Sequence, residues 1–98
     1  MLHIINKSPF VSSTLETCLE VATGGSVLLI EDAVYGAVAG TILEKKVSAA
    51  QTKLKLHVLG PDLEARGMSG ALIPGVEKID YAGFVDLVSR HKTCQSWL

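Results

Sequence analysis

From its first residues the chain alternates short apolar runs with stretches in which apolar positions recur every three or four residues. That alternation predicts strands joined by helices, the pattern of a parallel α/β sheet. Leu2 to Ile5 forms a first short strand, ended by the Lys7-Ser8-Pro9 turn. Ser13 opens a helix, with Glu16 three residues on completing a capping-box pattern. Leu15, Cys18, Leu19 and Ala22 follow at helical spacing, and Gly24 supplies the stop. Ser26-Val-Leu-Leu-Ile30 is a continuous apolar run, as expected of a central strand covered on both faces.

Asp32 is placed to cap a second helix whose apolar side is Val34, Ala37 and Val38, while Gly36 and Gly40 weaken it or admit a close backbone approach. Ile42 to Ala50 is helical in pattern, with Glu44, Lys45 and Lys46 turned to solvent. The third strand, Lys53 to Leu59, alternates: Leu54, Leu56 and Val58 take one face, Lys55, His57 and Leu59 the other. Gly60-Pro61-Asp62 starts a short helix that Gly67 closes. A loop of small residues from Met68 to Gly75 leads to a fourth strand, Val76 to Asp80. A last amphipathic helix from Tyr81 to His91 is expected to turn Phe84, Val85, Leu87 and Val88 inward. A fifth short strand can form near the tail. The predicted fold is a single α/β domain over residues 1–98, a three-layer sandwich with a mostly parallel sheet of four to five strands flanked by helices.

Composition changes this picture in one respect. Nine Lys+Arg against ten Asp+Glu leave a net charge of −1, which gives no electrostatic footprint for nucleic acid or an anionic membrane. Charged residues make up only 19% of the chain and apolar types 48%, with a mean hydropathy of +0.36. Intrinsic disorder is excluded. Strands buried on both faces absorb part of the apolar excess, and a subunit interface is the expected home of the rest. Trp97 and Leu98, an apolar end on a polar tail, are candidate contacts, because aromatic anchors are enriched at interfaces. The amino terminus lacks the basic and long apolar regions of a signal peptide, and no run approaches the ~18 apolar residues of a membrane span. A cytoplasmic protein is expected.

Candidate chemistry is sparse. Cys18 and Cys94, without secretory context or a Cys-x-x-Cys pair, are expected to be free thiols, and no metal or cofactor is implied. The carboxyl ends of the strands, where ligands of open α/β sheets gather, carry Lys7, Ser8, Glu31, Asp32, Gly60, Asp62, Asp80 and Tyr81. That set is mostly acidic and lacks a phosphate-binding glycine loop. Arg66 is expected to pair locally with Asp62 or Glu64. His3 and His57 read as hydrogen-bonded core or edge residues, and His91 as a helix-end histidine. Cys18 is the only plausible nucleophile. One reading packs it as a small hydrophobe on the stripe of Leu15, Leu19 and Ala22. The other makes it a sulfur-carrying thiolate, which requires exposure and a positive neighbour.

Several segments in register, Met1-Leu-His3, Asn6-Lys-Ser-Pro-Phe10, Val27-Leu-Leu-Ile-Glu-Asp32, Val58-Leu-Gly-Pro-Asp-Leu-Glu-Ala-Arg-Gly67, Ile79-Asp-Tyr-Ala-Gly-Phe-Val-Asp-Leu87 and Gln95-Ser-Trp-Leu98, resemble the DsrH/TusB family. The Asn-Lys-Ser-Pro-Phe opening, the Leu-Gly-Pro-Asp-Leu run and Cys18 bring the chain closer to the DsrH branch. The resemblance implies the smallest subunit of a cytoplasmic heterohexamer, DsrEFH or TusBCD, beside DsrE/TusD-like and DsrF/TusC-like subunits. Such assemblies pass persulfide sulfur between cysteines to a DsrC/TusE-like carrier, in oxidation of stored sulfur or in 2-thiolation of the wobble uridine of tRNA. The main acceptor cysteine lies on the DsrE/TusD subunit, so a chain like this one is not expected to be catalytic alone. Cys18 matches a first-helix cysteine of the DsrH branch and is the candidate secondary persulfide site. The alternative is a non-catalytic scaffold in which Cys18 is a buried structural residue.

Overall fold

A computed structural model describes residues 1–68 and 70–97 of the chain. Five strands, β1 (Leu2–Ile5), β2 (Ser26–Leu29), β3 (Lys55–Leu59), β4 (Glu77–Ile79) and β5 (Cys94–Trp97), form one sheet in the order β4-β3-β2-β1-β5. Every pairing is parallel. Between them lie α1 (Thr14–Val21), a 3-10 helix (Glu31–Ala37), α2 (Glu44–Ala50), α3 (Gly60–Ala65) and α4 (Tyr81–Arg90). The expected three-layer α/β sandwich is present, including the fifth strand at the tail.

The strand order decides which helix covers which face. From β1 to β4 each step moves one strand in the same direction, whereas β4 to β5 crosses back over the whole sheet. Crossovers between parallel strands are right-handed, so reversing the direction of travel puts the connecting helix on the opposite face. One face accordingly carries a large core drawn from α1, the 3-10 helix, α2 and α3, including Ile5, Leu15, Cys18, Val27, Val34, Val47, Val58 and Leu63. The other carries a small core in which Leu87 of α4 meets Leu2 and Leu28, with Ile4, Ile30, Ile79 and Phe84 around them. β2, at the centre, is buried at all four positions.

The thin cover on the α4 side corrects one expectation. Leu87 is buried and Phe84 half-buried, but Val85 is 69% exposed and Val88 40%. With about 100° of turn per residue, Val88 lies about 70° and Val85 about 130° around the helix from the midline of Phe84 and Leu87. A helix that touches only a sheet buries a narrow stripe, so both valines fall outside it.

Local signals at helix starts are redirected in the same way. The Ser13–Glu16 capping box does not form; the hydroxyl of Ser12 accepts from the Thr14 amide at 3.2 Å, and Glu16 pairs with Lys46 of α2 at 2.7 Å. Nor does Gly24 end α1, which stops at Val21 with the Ala22 amide donating to the Cys18 carbonyl. Gly25 is the conformationally required glycine, with φ +97° and the Met1 carbonyl where a side chain would stand. The second helix is 3-10 rather than α. A Cβ on Gly36 would lie 2.7 Å from the Leu15 side chain, so α1 packs directly on this backbone.

Candidate functional site

Cys18 is on the inward stripe of α1, at 0% exposure within the large core. Burial pushes its thiol up to about 11, and no neighbouring cation offsets that burial. At pH 7 only about one thiol in ten thousand would be ionised. Neither condition for a reactive thiolate, exposure or a positive neighbour, is met in the isolated chain. Cys94 is exposed at the start of edge strand β5, and both thiols are free.

Trp97, the candidate anchor, has a partner inside the chain. β5 pairs with β1 in register, Ile5 opposite Trp97 and His3 opposite Gln95. The Trp97 indole Nε1–H donates to Nδ1 of His3 at 3.1 Å, with the ring centroids 6.1 Å apart. Burial lowers the pKa of His3, as does the nearby amino terminus. The neutral ring is the form that offers Nδ1 as an acceptor. Trp97 remains half-buried, and its open side borders a shallow cleft of about 490 Å³ shared with the exposed Met1 and Val21. Leu98 lies outside the described residues.

Three of the acids at the carboxyl ends of the strands, Asp32, Asp62 and Asp80, are engaged within the chain. The amide of Glu31, at φ +52°, donates to the Asp62 carboxylate at 2.6 Å. With Asp62 so engaged, Arg66 pairs with Asp32 at 2.9 Å and reaches only the backbone carbonyl of Asp62, at 3.2 Å. The expected Asp62 or Glu64 partner is therefore replaced, and Asp32 serves as an ion-pair partner instead of a helix cap. Asp80 does cap α4, accepting from the Gly83 amide at 2.9 Å. These three acids hold loops and a helix start together. Among the described residues no group of three or more His, Cys, Asp and Glu side chains is placed to hold a metal.

His57 departs from its expected role. It is buried, but neither ring nitrogen has a hydrogen-bond partner among the described residues. The signal for its surroundings was present in the alternation of β3, which puts Lys55 and His57 on one face. Arg90 and His91, which join them from the end of α4, are brought there only by the reversed crossover.

Comparison with known proteins gives the chain its relatives. A family model described as DsrH like protein matches residues 7–94. Protein TusB of Shigella flexneri is 33% identical over 98 residues, covering 99% of this chain and 100% of the relative. The chain belongs to the DsrH/TusB family. Protein TusB of Escherichia coli O81 (strain ED1a) matches with the same identity and coverage. Among solved structures, the ychN protein from E. coli superposes with a TM-score of 0.81 at 17% identity, over 97% of each chain. MTH1491 from Methanobacterium thermoautotrophicum does so with a TM-score of 0.69 at 15% identity, over 97% of this chain and 95% of its own. These two likenesses establish the fold alone. Family membership supports a sulfur-relay subunit. No helix among the described residues is long and apolar enough to cross a membrane.

Proposed function

We propose that this chain is the small subunit of a cytoplasmic sulfur-relay assembly of the DsrEFH or TusBCD type. It helps sulfur pass to a DsrC/TusE-like carrier by completing and shaping the assembly, while the acceptor thiol resides on a DsrE/TusD-like partner. Full-length membership of the DsrH/TusB family supports the relay role, and the burial of Cys18 is the observation that carries the scaffold reading. Trp97, seated on His3 with its open side beside Met1 and Val21, is the proposed contact with a partner subunit, together with Leu98. The near-neutral charge assigns tRNA, where tRNA is the destination, to another component.

A second reading is favoured by the match of Cys18 to the cysteine of the DsrH branch. There α1 opens, and the Cys18 thiolate attacks the terminal sulfur of a donor persulfide. One S–S bond breaks as another forms, and the donor leaves as a thiolate.

Co-expression with the two related α/β subunits, followed by native mass spectrometry, tests the assembly. Incubating the purified assembly with a persulfide donor and weighing each chain then separates the two readings. The scaffold reading predicts that sulfur is gained on the DsrE/TusD-like chain and not on this one. Gain of one sulfur on this chain that vanishes in Cys18→Ser but not in Cys94→Ser would establish the second reading. Failure to assemble with either subunit would refute both.

A further inference from the structure

At the amino ends of β2, β3 and β4, on the α4 side of the sheet, a cleft of about 590 Å³ takes no part in the reading above. Lys53 and Lys55 line it from β3 and its approach, Glu77 from β4, and Arg90 and His91 from the end of α4. His57 forms its floor and is 5% exposed. Three cations thus face one carboxylate, in a chain whose net charge is −1. The Arg90 guanidinium also touches Asp86 at 2.9 Å, so Lys53 and Lys55 supply most of the available charge.

The His57 ring that floors this cleft is itself unpartnered among the described residues. A buried imidazole has lost the hydration of both nitrogens, and native structures almost always replace it with a partner. Here the nearest candidate, Oε1 of Glu77, stands 3.8 Å from Nδ1, beyond hydrogen-bond reach, on a side chain that is 66% exposed. The Glu77 carboxylate therefore half-occupies the place of an anion beside His57 without making the bond. Burial holds the His57 pKa below its ordinary value; Glu77 opposes that lowering, and Arg90, Lys55 and His91 add to it. The ring is thus a neutral donor of one N–H, and the charge that attracts an anion comes from the lysines.

We propose that this cleft binds a small free oxyanion, which displaces the Glu77 side chain toward solvent and accepts a hydrogen bond from His57. Carbonyls at the carboxyl end of α4 oppose an anion there, and Arg90 stands at that end to offset them. Only exposed side chains have to move: Glu77 outward, Lys53 and Lys55 inward.

The test is titration of the full chain with sodium phosphate and, separately, sodium sulfate, at ionic strength held constant with chloride. Backbone amides and the His57 ring are followed by NMR. Saturable shifts centred on Ser26, Lys55, His57 and Glu77 are expected. The double variant Lys53→Gln/Lys55→Gln should weaken binding about five-fold or more, and Glu77→Gln should tighten it about two- to five-fold, the range for single charges near a surface. Lys45→Gln, on the far side of the sheet, should leave it unchanged. Linear, unsaturating shifts would overturn the proposal. So would saturable shifts that ignore the lysine variants, or a Glu77→Gln change that weakens binding. None of these outcomes depends on substituting the buried His57.

Discussion

Replacing Cys18 examines the packing on which the scaffold reading rests. The side chain is fully buried in the large core beside Leu15 and Leu19, so Cys18→Ala removes sulfur contacts without adding a polar atom. Loss of one small buried group costs about 1 kcal/mol. Cys18→Ser keeps the volume but places a hydroxyl in an apolar setting. In a helix its best partner is the carbonyl one turn back, that of Thr14, which already belongs to the helical ladder. A buried hydroxyl so compensated costs about 2 kcal/mol. For a domain of this length each kcal/mol moves Tm by about 4–8 °C, so Ala should lower Tm by about 4–8 °C and Ser by about 8–16 °C. Thermal unfolding followed by circular dichroism measures both. A chromogenic disulfide reagent provides the companion assay: in the native wild type one thiol, Cys94, reacts at once and the second only as the chain opens. Two thiols reacting equally fast, or a Cys18→Ser variant with unchanged Tm, would refute the burial argument.

Other consequences are independent of that site. Leu87→Ala should destabilise the domain by about 3 kcal/mol in urea titrations, since Leu87 holds α4 against Leu2 and Leu28; Val85→Thr should stay within about 0.5 kcal/mol, and equal effects would mean the helix faces are misassigned. Trp97→Phe should cost about 1 kcal/mol through loss of the bond to His3. The same change should raise the His3 pKa toward its ordinary value in an NMR titration, because the indole donor favours the neutral ring; no movement would argue that the bond is absent in solution. Stability should also depend on pH. His3 and His57 both have folded pKa values below the ordinary 6.5, so the unfolded chain binds protons first as pH falls. Stability is then full above pH 6.5 and declines below it toward the folded values, so urea midpoints should drop between pH 7.5 and 5.5. A flat or rising profile would contradict the buried, neutral histidines.

Most strands and helices and the parallel character of the sheet were legible in the chain, because burial period and turn chemistry act locally; the strand order and the 3-10 form of the second helix were not. The apolar Val27–Leu29 of β2, the alternating β3 and Pro61 at the start of α3 each specify their conformation without distant help. What could not be read there was decided by partners far along the chain. Asp62 takes the Glu31 amide, 31 residues away, and so sends Arg66 to Asp32. Lys46 draws Glu16 out of its capping box, and the reversed crossover leaves Val85 and Val88 outside the narrow stripe that α4 buries. The candidate site divides along the same line. Helical spacing put Cys18 on the apolar stripe, but only the packed core shows that no cation reaches it. For Trp97 the apolar tail was visible, and the pairing of β5 with β1 was needed to find His3 as its partner.

Sulfur transfer through a reconstituted assembly tests the central claim most directly. The two related subunits, a persulfide donor and a DsrC/TusE-like carrier would be combined with the wild-type chain, with Cys18→Ala, or without this chain, and the carrier weighed over time. Omitting the chain is expected to abolish or greatly slow delivery of sulfur to the carrier, while Cys18→Ala should support delivery at close to the wild-type rate. Delivery unaffected by omission would contradict the subunit role, and delivery lost in a folded, assembled Cys18→Ala variant would contradict the scaffold reading.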